Sequence, residues 1–155
     1  MHTHKLLPDT EAELDTFLSA FEDGTYPKSE WTHAAHLVAG SSYLYTLGHD
    51  AALDHMRDRV RHYNLATGGQ NTPTSGYHET LTRFWIIVLD LLHQHAQPTS
   101  RVAFTRLAVG HFGHRRDLHA AFYNINVVAS REARAAWLPP ERNPTITDLL
   151  LNTPS

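Results

Sequence analysis

The sequence predicts an all-α fold, a single-domain bundle of six or seven helices over residues 1–155. Three observations predict it. Apolar residues recur at helical spacing in one segment after another. The breaks between segments fall at glycine or proline, often with Ser, Thr or Asp placed to cap the next helix. No two segments read as strands joined by hairpin chemistry. At 155 residues the chain fits one domain and can bury a core without disulfides.

Each element has its own signal. Asp9 or Thr10 caps a first helix to about Asp23, ended by Gly24, with Leu14, Phe17 and Phe21 on one face. After a polar link containing Pro27, a second helix runs from about Trp31 to Leu47 and stops at Gly48. Its stripe is His33, Leu37, Gly40, Leu44 and Leu47, with His36 and Tyr43 beside it. Asp50 caps a third helix to about Thr67, with Leu53, Met56, Val60 and Tyr63 inward. Ser75 caps a fourth, Tyr77 to Gln94, apolar nearly all round and therefore the expected centre of the bundle. Ser100 caps a shorter helix to about Val109, broken by Gly110 and Gly113. Asp117 starts another, with Leu118, Phe122, Ile125 and Ala129 in phase. Ser130 caps a short helix to Leu138, stopped by Pro139 and Pro140. The tail after about residue 139 is expected to be irregular, with one turn at Asp148 to Leu151.

Composition narrows the chemistry. There is no cysteine, so thiolate nucleophiles, disulfides and Cys-based metal sites are excluded. A net charge of −3 argues against a nucleic-acid partner, which needs a cationic face. No apolar run reaches the length of a membrane span, and Met1 to Pro8 lacks the pattern of a secretory signal. The cytoplasm is the default expectation, and association into a homo-oligomer is compatible with the sequence. No Gly-x-Ser-x-Gly elbow, Walker loop or dinucleotide fingerprint occurs.

Histidine is the unusual residue, with 13 in the chain. At that frequency chance alone gives roughly one i,i+3 pair, and the chain has two, His33/His36 and His111/His114. Spacing is thus uninformative, but position is not. His33 lies in an apolar stripe and His36 at its edge, on one helix face within Trp31-Thr32-His33-Ala34-Ala35-His36-Leu37. Burying an imidazole without a partner is costly, so adjacent inward histidines suggest a shared partner. The plainer alternative is that each is a core histidine satisfied by a backbone carbonyl or a hydroxyl. His78, in Gly76-Tyr77-His78-Glu79-Thr80-Leu81-Thr82, is in phase with Leu81, Trp85, Val88 and Leu92 and faces the core from the first turn of its helix. A helix N-terminus disfavours imidazolium, leaving the neutral form that binds metal.

Three neutral histidines from two helices would hold a divalent metal with positions left open for catalysis. Zinc or iron is the leading expectation, with nickel and copper allowed. Glu79 is then a candidate fourth ligand or general base, although a first-turn glutamate complementing the helix dipole is the simpler role. Tyr63 is a candidate catalytic hydroxyl, with Asn64 and Tyr43 as candidate substrate-binding groups; core packing is the simpler role for both tyrosines. The loop from Gly68 to Ser75 reads either as a lid or as a plain connector.

The two motifs resemble those of a group of small, uncharacterised bacterial all-α proteins with a Trp-Thr-His-x-Ala-His-Leu segment and a later Gly-Tyr-His-Glu-Thr segment. The match spans Trp31 to Leu37 and Gly76 to Thr80, with weaker similarity at Tyr63-Asn64 and Arg134 to Trp137. The resemblance supports the choice of residues and implies no reaction. A looser architectural analogy links the chain to DinB-like bundles, which hold a metal with three histidines at a different spacing. The sequence therefore leads to a metal-dependent enzyme acting on a small molecule, by Lewis-acid hydrolysis or non-haem-iron oxidation. The alternative is a non-catalytic domain that binds a small molecule or anion at the two helix N-termini and their histidines. A third reading is a structural domain whose histidines satisfy one another.

Overall fold

The computed structural model describes residues 7–151. Residues 1–6, part of the stretch read as lacking a secretory signal, lie outside them. Seven α-helices are present among the described residues: α1 (Glu11–Asp23), α2 (His33–Leu47), α3 (His49–Ala66), α4 (Glu79–Ala96), α5 (Arg101–Phe112), α6 (Arg131–Ala135) and α7 (Ile146–Leu151). Among the described residues no strand is formed, and a bridge pairs Thr72 with Ser75. The fold is the expected all-α bundle. None of the helices is long and apolar enough to cross a membrane.

The helix ends follow local chemistry. Thr10, Thr32 and Ser100 each accept the N–H three residues on, closing the first turns of α1, α2 and α5. α1 ends at Gly24 with φ +78°, where an added Cβ would lie 2.5 Å from the Ala66 Cβ. Only glycine permits that turn and the close approach of α3.

Several boundaries differ from the sequence reading. α2 begins at His33, because Trp31 closes a short 3-10 turn, Lys28–Glu30, and leaves the helix to Thr32. Gly48 rather than Asp50 precedes α3. α4 is capped by His78, not Ser75, and starts two residues later than expected. Gly110 stays helical and α5 runs to Phe112, since one glycine costs a helix only about 1 kcal/mol. The helix expected from Asp117 shrinks to a 3-10 turn, Leu118–Ala121. Its apolar phase was misleading: Asn126 turns the chain by accepting Ala129 N–H, and Ile125 and Val128 are exposed. α6 ends at Ala135, short of Leu138. The tail is irregular as far as Thr145, as expected, and the turn expected at Asp148 to Leu151 is the longer α7, whose Leu149 is fully buried.

Two helices share the centre. α4 packs against α2, α3, α5, α6 and α7 through Phe84, Ile86, Val88, Leu89 and Leu92. α2 is equally enclosed, touching α3, α4 and α5, with every residue from Leu37 to Leu44 buried. Its small residues, Ala39, Gly40, Ser41 and Ser42, bring neighbouring helices close; the Ser41 hydroxyl donates to Leu37 O at 2.6 Å. The N-terminal ends of α2 and α4 flank one cavity, with α3 as its third wall.

Candidate functional site

The cavity measures about 460 Å³, within the size range of small-molecule sites. Leu37 and Gly40 of α2, Met56 and Val60 of α3, and Leu89 of α4 give it an apolar floor. Gly40 sets the spacing there, since a Cβ would sit 3.1 Å from the Leu89 Cδ1. Two indoles form part of the walls, Trp31 before α2 and Trp85 on α4. The polar lining includes His33, His36, His78, Asn64 and Arg116 and contains no Asp or Glu. All three sequence-predicted histidines thus reach one cavity, from two helices, as does Asn64.

The bonding of the imidazoles fixes their tautomers, because a carbonyl can only accept. His33 Nε2–H donates to Phe112 O, the last carbonyl of α5, at 3.0 Å. His36 Nδ1–H donates to Thr32 O at 2.8 Å. His78 Nε2–H donates to Val127 O at 2.7 Å, and its Nδ1 accepts Leu81 N–H at 3.1 Å as the cap of α4. His33 Nδ1 and His36 Nε2 make no hydrogen bond to any described residue, whereas both His78 nitrogens are engaged. Ring contacts hold the first two in place: His33 packs edge-on to Trp85 at 4.8 Å, and His36 lies 4.1 Å from Trp31.

Burial keeps all three neutral. It lowers the His33 pKa despite the Phe112 bond, and the Arg116 charge lowers it further. It pushes His36 down to about 4, with His33 and Arg116 adding to the effect. His78 is lowered mainly by burial, and also by the charges of Arg134 and His119.

These residues fit a three-histidine metal site poorly. His78 would have to release Val127 or uncap α4 to offer a nitrogen. Among the described residues no group of three or more His, Asp or Glu is placed to hold a metal ion.

The remaining predicted residues have other partners. Glu79 is not among the lining residues and accepts both Arg57 Nε at 2.9 Å and Nη2 at 2.7 Å, and the Tyr77 hydroxyl at 2.8 Å. Those bonds hold its carboxyl below the usual range, the Arg57 bond first. Tyr63 is fully buried and donates to Tyr26 O at 2.6 Å. Tyr43 donates to Glu22 Oε2 at 2.6 Å and packs on His55. Neither tyrosine lines the cavity. Asn64 does, while its Nδ2 donates to Asn71 Oδ1 at 2.9 Å.

Asn71 also accepts Tyr77 N–H and donates to Arg61 O, which ties the 68–75 loop down at both ends. Beside it, Gly76 has φ +84° and lines the cavity, and Arg134 of α6 grips its carbonyl at 2.7 Å.

Sequence reasoning missed Arg116 and Trp85 as cavity residues. Trp85 was assigned to the core by its helical phase. Arg116 lies in the loop after α5, and no local pattern connects that loop to the ends of α2 and α4. The only signal available was a basic pair, Arg115-Arg116, next to two glycines. Comparison with known proteins finds no matching family model, curated protein or solved structure.

Proposed function

We propose that this chain is a small-molecule-binding helical domain whose ligand occupies the cavity between α2, α3 and α4. The observation that carries the reading is the cavity itself. It is mostly apolar, of ligand size, and lined by two histidines that each have one ring nitrogen with no hydrogen bond to a described residue. Mostly apolar clefts with a few convergent polar groups are the usual form of small-molecule sites. In this reading His33 Nδ1 and His36 Nε2 accept hydrogen bonds from the ligand, and His78 is a positioning residue that fixes the start of α4.

The test uses a neutral apolar dye, N-phenylnaphthylamine, whose emission rises on leaving water. The expected result is saturable binding at one site per chain, lost in a Leu81→Trp variant that keeps its helical circular dichroism. Leu81 lines the cavity and is half-buried, so an indole there fills space without entering the core. Dye binding that survives Leu81→Trp would overturn the proposal.

The metal-dependent enzyme expected from sequence would use the same cavity, and elemental analysis separates the two. About one zinc or iron per chain, lost in folded His33→Ala and in folded His78→Ala, would favour the metal reading.

A further inference from the structure

Arg116 is the one charged side chain among the described residues that line the cavity. Its guanidinium makes no hydrogen bond or ion pair to any described residue. It stands close enough to His33 and His36 to act on both electrostatically. No carboxylate lines the space, and the nearest in sequence to the motif histidines, Glu79, is taken up by Arg57 and Tyr77. An exposed cation at an apolar cavity without a counter-charge favours an anionic occupant by charge complementarity, which salt screens. The indoles of Trp31 and Trp85 line the same space.

Building on the reading of the cavity as a ligand site, we propose that the ligand is a small aromatic acid. Its ring system lies against Trp31 and Trp85, and its anionic group pairs with Arg116. Arg116 is then the residue that sets specificity for charge, and the guanidinium suits a carboxylate, sulfonate or phosphate by paired N–H donors. The two imidazole acceptors add selection for acids that also carry an O–H or N–H.

Two dyes with the same aryl body decide it: neutral N-phenylnaphthylamine and its anionic counterpart, anilinonaphthalene sulfonate. The parent is expected to bind the sulfonate about tenfold more tightly than the neutral dye. In Arg116→Gln that preference falls towards unity, through loss of affinity for the sulfonate. Arg116 is exposed, so the substitution leaves the core untouched. Salt at about 0.5 M is expected to weaken the sulfonate selectively. Equal affinities in the parent, or a preference that survives Arg116→Gln, would overturn the inference while leaving the cavity reading intact. Binding of either dye that ignores Leu81→Trp refutes the cavity reading instead.

Discussion

Replacing His78 by alanine tests the double role assigned to this side chain. The ring caps α4 through Nδ1 and ties that helix end to the Val127 carbonyl through Nε2, at 7% exposure. Three losses follow in His78→Ala. An uncapped helix N-terminus costs about 1 kcal/mol. A buried carbonyl left without its donor costs about 1–2 kcal/mol. The packing vacated by the ring adds about 1 kcal/mol. Together they predict a destabilisation of about 3 kcal/mol, or about 6–12 °C in Tm for a chain of this size. His78→Asn provides a cap acceptor without the reach to Val127 and should recover about 1 kcal/mol. Urea unfolding followed by far-UV circular dichroism at about pH 7.5 reads both variants against the parent. A chelator in the parent sample is expected to leave Tm unchanged. The reasoning fails if His78→Ala loses less than about 1 kcal/mol, or if asparagine recovers nothing over alanine.

Acid should weaken the fold through the same cavity. His33, His36 and His78 have folded-state pKa values below the usual 6.5, so the unfolded chain binds protons more readily. Their contribution is complete above about pH 6.5 and is lost as pH falls, for His36 down to about 4. That interval bounds the His36 effect at roughly 3 kcal/mol, reduced to about 2 by water reaching a half-buried ring. Denaturant melts between about pH 7.5 and 4.5 should show a shallower loss in His36→Gln, and parallel slopes would contradict the assignment. Arg57→Met strands the Glu79 carboxylate against α3 and should cost about 2–3 kcal/mol, with Arg57→Met/Glu79→Gln recovering at least half; a double variant no better than the single refutes the pairing. Gly76→Ala places a Cβ 2.1 Å from Gln70 O at a positive φ, so a loss of about 2 kcal/mol and weaker dye binding are expected, and a neutral effect would show that the turn can rearrange.

The sequence made the bundle legible where a periodic stripe met a cap, as in α1, where Thr10 and Gly24 bracket Leu14, Phe17 and Phe21. It misled where apolarity alone stood for burial. The fourth helix was read as the centre because it is rich in large apolar side chains. The equal role of α2 was hidden, because Ser41 and Ser42 look like surface residues until their helix is enclosed on three sides. The segment after Asp117 shows the converse. Leu118 and Phe122 are buried and in phase, but the backbone between them turns as a 3-10 segment. For the site, the two histidine motifs pointed to one place because both lie at helix starts. The bonds that the His33 and His78 rings make were not legible, since they depend on Phe112 and Val127, 79 and 49 residues away in the chain.

That dependence also explains why the three histidines are not equivalent. Each ring donates one N–H to a carbonyl, and the second nitrogen decides the role. At His78 the second nitrogen closes the first turn of α4, so the ring serves the backbone on both sides. At His33 and His36 no described group engages the second nitrogen, and the ring is braced by an indole instead. Each of these rings supplies the donor of its own bond, which leaves its second nitrogen unprotonated. Glu79, the neighbouring group best able to compete for a ligand's proton or repel its charge, is held outside by Arg57 and Tyr77. What remains is a space with neutral acceptors, aromatic walls and one arginine. On the proposed reading, these groups would select a ligand by shape, charge sign and hydrogen-bond donors.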